Sequence, residues 1–191
     1  MAVEYEIQAF EDAASWRAWL DKHHADTNGI WLRVYKKDSG VVTVTRAEAL
    51  DDALCYGWID GQVNGGGDGL SYLQKFTPRR KRSLWSKRNI EIIARLTEAG
   101  LMMPAGLAEV EAAKADGRWA AAYDKPSEMT VPEDFKTELH KYPEAEAFFE
   151  GLNKTNKYAI VWQLQTAKTE TTRLRRQEKL ITMLKAGQKI Y

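Results

Sequence analysis

Alternating apolar and polar residues in the first half of the chain predict short β-strands. The clearest case is the segment IWLRVYKK, which places Ile30, Leu32 and Val34 on one side of a half-buried strand. The same kind of pattern predicts three further strands, at residues 41–44, 58–63 and 70–77.

The last two strands are joined by NGGGDG, and we interpret this segment as a hairpin turn. Asn-Gly and Asp-Gly favour such turns because their residues adopt positive φ at little cost. Counting outward from the turn places Trp58 opposite Lys75 and Asp60 opposite Leu73. A glycine run can also hold a phosphate, but that arrangement requires a helix N-terminus immediately afterwards, which the sequence does not predict here.

Apolar residues spaced three and four apart predict helices in the rest of the chain. One helix covers residues 11–24, and a second begins at Thr45, where Glu48 completes a capping box. A third follows Ser83 or Ser86, either of which can cap it. Every element predicted after it is helical.

The order of these elements predicts an α+β fold. A small antiparallel sheet with helices forms the N-terminal half, and an all-helical C-terminal half packs against it. Residues 1–100 are one predicted lobe and residues 101–191 the other. Because no long linker separates the two lobes, a single compact unit is the alternative.

The composition is that of a globular protein, with 44% hydrophobic and 29% charged residues. Seven Trp and eight Tyr predict an aromatic core. The single cysteine, Cys55, cannot form an internal disulfide, which is typical of a reducing compartment. No secretory signal is recognisable, and no apolar stretch approaches the roughly 18 residues of a membrane span. We therefore expect a cytoplasmic location.

Charge is distributed unevenly, although the formal net charge is only +1. Between Lys75 and Arg88 there are seven Lys or Arg and no Asp or Glu. Residues 168–189 carry a net charge of +5, which leaves −11 for the remainder of the chain. A concentrated positive field attracts anions. Because the acidic remainder repels a long polyanion, a small anionic ligand or an acidic protein surface fits this field better than nucleic acid.

Three interpretations of the segment TPRRKRSLWSKRN stay open: a solvated charged loop, an anion site, and contact with nucleic acid. In an anion site, the arginines would act as hydrogen-bonding forks, together with hydroxyls and the free amides of a helix start. The candidate ligand-binding residues are Trp58, Asp60, Phe76, Thr77, Arg79, Arg80, Arg82, Ser83, Trp85, Ser86, Arg88 and Asn89.

Catalytic signatures are sparse. The sequence contains no GxSxG, SxxK, GxxxxGK or HExxH motif. Asp60 is either held in an ion pair or acts as a ligand-orienting or acid/base group. His23 and His24 are adjacent in sequence, so they point to different sides of a helix and do not form a metal site. We predict no metal and no cofactor, and we favour a non-catalytic protein.

Four blocks of the sequence are similar to a known family, namely CYGWIDGQ, YLQKFTPRRKRSLWSKRN, GLAEVEAAKADGRWAAAYD and AKTETTRLRR. They resemble bacterial proteins of the YdeI/OmpD-associated, or bacteriocin-protection, family over about residues 10–190. The resemblance implies a stress response that confers tolerance of bacteriocins or antimicrobial peptides, without a defined reaction. The motif members in the last block are Lys168, Glu170, Thr171, Arg173 and Arg176.

The sequence thus predicts a cytoplasmic bacterial tolerance protein that binds a small anionic ligand or an acidic protein surface. One alternative is an enzyme acting on a small anionic metabolite, with Asp60 as acid/base group and Asp51 or Asp52 as a second carboxylate. The other alternative is a nucleic-acid-binding protein, which would need both basic segments to form one stripe.

Overall fold

The structure is a computed structural model, and it describes residues 4–191. Within that range it contains a four-stranded sheet and eight α-helices, which confirms the α+β class. The strands are β1 (Ile7–Gln8), β2 (Ile30–Tyr35), β3 (Trp58–Gly65) and β4 (Ser71–Pro78). The helices are α1 (Ala13–His23), α2 (Arg46–Cys55), α3 (Lys87–Glu98), α4 (Pro104–Ala115), α5 (Glu133–Leu139), α6 (Pro143–Glu150), α7 (Lys154–Gln165) and α8 (Glu170–Lys185).

The described chain divides into two compact units. The first contains the described residues up to Trp85 together with Asn89–Ala121, and the second contains Ser86–Arg88 together with Ala122–Tyr191. All four strands belong to the first unit, whereas helices α5 to α8 belong to the second. The division into lobes of residues 1–100 and 101–191 stays a prediction, as does the alternative of a single compact unit.

The sheet has the strand order β1-β2-β4-β3. Strand β1 runs parallel to β2, and the other neighbouring strands are antiparallel. The strand predicted at residues 41–44 is wrong, because this segment is irregular, whereas β1 forms the outer strand beside β2. In the irregular segment that replaces it, the Thr43 hydroxyl accepts a hydrogen bond from the Tyr35 N–H.

Strands β3 and β4 form the predicted hairpin, but in a different register. Trp58 lies opposite Pro78 and Asp60 lies opposite Phe76, so both predicted cross-strand pairs were wrong. Because the two strands are antiparallel, this shift moves the basic residues after β4 relative to the side chains of β3.

The turn and a bulge explain the change of register. Asp68 accepts hydrogen bonds from the N–H groups of Leu70 and Ser71, at 2.9 and 2.8 Å, so that β4 begins only at Ser71. Strand β3 also contains a β-bulge, where the Gln74 amide donates to the Gly61 carbonyl at 3.0 Å.

An aromatic core forms where α1 meets the sheet. Trp16 is fully buried, and its ring centroid lies 5.5 Å from that of Phe76 on β4. Its indole N–H donates to the Ala49 carbonyl of α2 at 3.0 Å. The capping box predicted at Thr45 and Glu48 is confirmed and fixes the start of α2.

The second unit has a helical core of its own. This core consists of Phe135, Leu139, Ala145, Phe149, Ile160, Leu164, Leu180, Ile181 and Leu184. Helix α7 begins where the Asn153 side chain accepts a hydrogen bond from the Asn156 N–H. Among residues 4–191, no helix combines the length and apolar character needed to cross a membrane.

Candidate anion-binding site

Residues 79–85, which we name the basic loop, follow β4 and carry the predicted cluster of positive charge. Arg79 is only 6% exposed, and its Cζ lies 3.5 Å from the centroid of the Trp85 ring. Its Nη1–H donates to the Leu84 carbonyl at 3.2 Å, and its backbone N–H donates to the Gly57 carbonyl at 3.0 Å. Arg79 therefore folds back onto its own loop and holds it against the end of α2.

Two residues far along the sequence complete the base of the basic loop. The Trp119 ring lies 4.9 Å from the ring of Trp85, and both belong to the first unit. The Arg118 guanidinium donates to the Ser83 carbonyl at 3.2 Å and to both oxygens of Asp116. Sequence reasoning placed neither residue at the basic loop, although both lie in the similarity block GLAEVEAAKADGRWAAAYD.

The outer part of the basic loop presents charge to solvent. Arg80, Lys81 and Arg82 are exposed, and none of the ion pairs formed by the described residues involves them. The Arg80 N–H donates to the Ser83 hydroxyl at 2.9 Å, which forms a turn at this point. The indole N–H of Trp85, at the end of the basic loop, is buried and has no acceptor in the described part of the chain. The basic loop thus combines three exposed cations with a buried indole N–H that has no acceptor among the described residues.

Two predicted site residues, Trp58 and Phe76, lie in the core, and a third, Thr77, lies on β4. Trp58 is 1% exposed and its indole N–H donates to the His24 carbonyl at 3.0 Å. Phe76 is fully buried against Trp16. Thr77 is half-buried and pairs with a residue of β3.

Each carboxylate considered for catalysis has its own arginine. Asp60 is 16% exposed at its side chain and lies 2.6 Å from Arg46. Asp52 pairs with Arg17 at 2.7 Å, and Asp51 pairs with an arginine of α3 at 2.6 Å. Burial raises the pKa of the Asp52 carboxyl, and the guanidinium beside it opposes that rise. The contact with Arg46 matches the ion-pair interpretation of Asp60.

The remaining predicted residues lie at the start of α3. Ser86 and Asn89 are buried, and Arg88 is exposed. Ser86 forms an isolated bridge with Tyr123 within the second unit. Beside it, Lys87 pairs with Asp124, and the hydrogen bond between them raises the pKa of Lys87 and lowers that of Asp124.

The closing motif AKTETTRLRR joins two helices of the second unit. Arg173 Nη1 donates to the Leu164 carbonyl at 3.0 Å, and Arg176 Nη1 donates to the Gln163 carbonyl at 2.6 Å. Both carbonyls lie in the last turn of α7, where unpaired acceptors and the helix dipole favour a cation. The other motif members, Lys168, Glu170 and Thr171, are exposed. Two arginines of the basic residues 168–189 therefore donate hydrogen bonds to the backbone within the second unit.

Arg173 is also bound by Asp134, with guanidinium–carboxylate distances of 2.6–3.0 Å. This hydrogen bonding lowers the pKa of Asp134 below its ordinary value of 3.8. A lowered folded-state pKa stabilises the fold above the unfolded pKa, and the contribution is lost as the pH falls through the folded value.

We therefore expect Asp134→Asn to lower the free energy of unfolding at pH 7 by about 1 kcal/mol. The difference in free energy of unfolding between this variant and the wild-type chain should shrink progressively as the pH falls below 3.8. Urea unfolding at a series of pH values measures it. Glu133→Gln, at the neighbouring and more exposed carboxylate, is the control and should show little effect. A difference that grows on acidification would contradict the assigned ion pair.

Two family models match different parts of the chain. A family model described as a domain of unknown function (DUF8412) matches residues 8–109, which include the basic loop. A second model, described as bacteriocin-protection, YdeI or OmpD-associated, matches residues 128–187, which include the closing motif. No curated protein matches the chain. No solved structure matches it either.

Proposed function

We propose that this chain, which belongs over residues 8–109 to the family described as a domain of unknown function (DUF8412), is a non-catalytic tolerance protein that binds an anionic group. The proposed tolerance role comes from the bacteriocin-protection, YdeI or OmpD-associated domain at residues 128–187. The binding site is the basic loop. The anionic group belongs to a small ligand or to an acidic protein surface, and both present the same carboxylate or phosphate oxygens.

The observation that carries this proposal is the Trp85 indole. Its N–H is buried without an acceptor among the described residues, which costs about 1–3 kcal/mol in a folded protein. The Cζ of Arg79 lies 3.5 Å from the centroid of the Trp85 ring, and the centroid of the Trp119 ring lies 4.9 Å from it. An anionic oxygen that accepts from this N–H recovers the hydrogen bond and meets a field already positive from Arg79.

The exposed cations of residues 80–82 provide the second layer of the site. They attract an anion from solution, and their attraction weakens as salt screens it. Because the indole edge is covered, the ligand reaches it when the tip of the basic loop shifts. Binding is therefore expected to change the environment of Trp85 more than that of the other tryptophans.

The test uses the full chain and inorganic pyrophosphate at low salt. Binding is followed by calorimetry and by the indole N–H resonances, with Trp85 assigned through Trp85→Phe. We expect Arg80→Ala combined with Arg82→Ala to weaken binding about tenfold at low salt, because it removes two of the three exposed charges that attract the anion. Lys22→Ala combined with Lys37→Ala removes the same charge from exposed positions elsewhere in the first unit and should leave the affinity unchanged.

Two further probes distinguish the sources of the anionic group. An acidic hexapeptide represents a protein surface, and a single-stranded oligonucleotide represents nucleic acid. Tighter binding of the peptide than of pyrophosphate would identify an acidic protein surface as the partner. Equal affinity of both double variants, or an unmoved Trp85 resonance at saturation, would refute the basic loop as the site.

A further inference from the structure

The dipeptide Asn-Gly occurs at residues 28–29 and again at residues 64–65. An asparagine in front of a glycine is chemically labile, because the next backbone nitrogen can attack the side-chain amide and glycine has no Cβ atom to hinder the approach. The two sites are equivalent by sequence. The structure gives them very different surroundings.

Gly65 lies at the open edge of the sheet. It ends β3, which is the outermost strand, and both Asn64 and Gly65 are exposed. The Gly66 N–H donates to the Ser71 carbonyl at 3.2 Å. Because hydrogen-bonded and non-hydrogen-bonded pairs alternate between antiparallel strands, the preceding residue, Gly65, occupies a non-hydrogen-bonded position opposite β4. Its N–H group therefore points away from the sheet.

The pairing on the other side of β4 agrees with this assignment. The Lys36 N–H donates to the Leu70 carbonyl at 2.9 Å, so the same alternation directs the backbone groups of Tyr72 towards β2. Tyr72 is the residue opposite Gly65, and it does not bond to it. The backbone nitrogen that would attack Asn64 is thus not engaged in the β3–β4 ladder.

There is also space for the attack at this site. A Cβ atom built on Gly65 would meet no other atom within 4 Å. The Asn64 side chain forms no hydrogen bond with any other described residue, so its amide can turn towards the next nitrogen. Neither the backbone nor the side chain has to break an existing contact.

Gly29 is enclosed on several sides. A Cβ atom built there would lie 2.7 Å from both the Phe76 carbonyl oxygen and a methyl carbon of Thr77, and 2.9 Å from the Tyr5 ring. Attack requires the peptide group between Asn28 and Gly29 to rotate. Since β2 begins at the very next residue, that rotation would press Gly29 into the backbone of β4.

Asp68, which also precedes a glycine, is restrained as well. An aspartate can close the same ring with water as the leaving group. The Asp68 carboxylate, however, accepts hydrogen bonds from the N–H groups of Leu70 and Ser71, at 2.9 and 2.8 Å, and from Arg33 at 3.2 Å. It would have to give these up before it could turn back towards Gly69.

We propose that Asn64 is a deamidation site of this protein and that Asn28 is protected by the fold. A base from solvent accepts the proton of the Gly65 N–H, and the nitrogen attacks Cγ of Asn64. The side-chain nitrogen leaves as ammonia, and a succinimide ring remains. Water then opens the ring at either carbonyl, which leaves aspartate or isoaspartate at residue 64.

The isoaspartate product changes the hairpin itself. Its backbone runs through the former side chain and is longer by a methylene group at the residue that pairs with Leu73. The pair with Leu73 and the Gly66–Ser71 hydrogen bond then cannot both keep their geometry. Modification is therefore expected to loosen the end of the hairpin.

The test incubates the folded full chain in mildly alkaline buffer, beside a sample unfolded in urea. Proteolysis and mass spectrometry follow each site by the small mass gain that accompanies replacement of an NH2 group by an OH group. In the folded chain we expect Asn64 to react about tenfold faster than Asn28, because strain opposes rotation at Gly29. In urea the two rates should be similar, since the dipeptides are identical.

Variants on β3 test the chemistry of the site. Asn64→Gln should abolish the reaction, because the ring it would form is larger. Gly65→Ala should slow it severalfold, because a methyl group hinders the nitrogen, and the free space at this position allows the chain to fold. Gly61→Ala adds the same methyl group elsewhere on β3, with no atom closer than 3.8 Å, and should leave the rate unchanged.

Two outcomes overturn the proposal. The first is an Asn64 that stays unmodified in the folded chain, whatever happens in urea, because the strand would then protect it. The second is an Asn28 that reacts as fast as Asn64 in the folded chain, because the crowding at Gly29 would then have no effect on the reaction.

Discussion

Trp58→Ala is expected to lower the free energy of unfolding by about 4 kcal/mol. The side chain is almost completely buried, and its ring meets that of Trp19 edge-on with a centroid separation of 5.9 Å. Truncation leaves a cavity between β3 and α1 and also leaves the His24 carbonyl without its indole donor. Chemical denaturation followed by far-UV circular dichroism measures the loss.

Trp58→Phe separates the two contributions. It retains most of the buried ring but removes the donor to His24, so the expected loss is about 1–2 kcal/mol. Because Trp58 lies in the core and not beside the exposed cations, Trp58→Phe should also leave pyrophosphate affinity unchanged. If a stable Trp58→Phe variant no longer bound pyrophosphate, Trp58 would be part of the binding site and the prediction would be wrong.

Gly106→Ala is expected to destabilise the first unit by about 3 kcal/mol. Gly106 lies in the first turn of α4, where alanine normally stabilises a helix by about 1 kcal/mol. Here a Cβ atom would lie 2.2 Å from the Cys55 carbonyl oxygen and 2.8 Å from that of Leu54. Since both obstacles are backbone atoms, α4 must move away from the end of α2 to accept a methyl group.

Gly151→Ala is the matched control for that substitution. A Cβ atom at Gly151 would lie no closer than 3.5 Å to its nearest neighbour, and the residue has a right-handed helical conformation. Its unfolding midpoint in urea should therefore stay the same or rise. If Gly106→Ala had no larger effect than Gly151→Ala, the close approach of α4 to the end of α2 would be contradicted.

Local signals predicted most of the elements correctly. The alternation in IWLRVYKK marked β2, and the Thr45–Glu48 capping box marked α2, because both depend on residues within one turn or one strand. Strand β1 escaped prediction because its two residues, Ile7 and Gln8, are too few to show a period. The strand predicted at residues 41–44 was wrong because a short run of β-branched residues does not by itself form a strand.

The candidate site was visible from sequence only as a concentration of charge. Nothing in TPRRKRSLWSKRN distinguishes Arg79, which is buried, from Arg80 and Arg82, which are exposed. That difference depends on the Trp85 ring and on Trp119, which comes 34 residues later in the chain. The partner of Asp60 was equally hidden, since Arg46 lies on a helix and not in the basic loop.

The amino-acid sequence by itself therefore determined which segments become helices, strands and turns, and where positive charge is concentrated. These properties depend on residues that are close together in the sequence. Only the tertiary structure decided the hairpin register, the burial of Arg79 beside Trp85 and Trp119, and the pairing of Asp60 with Arg46. Each of these depends on groups from separate elements meeting at distances of a few ångströms. A one-residue shift in any pairing changes which side chains meet.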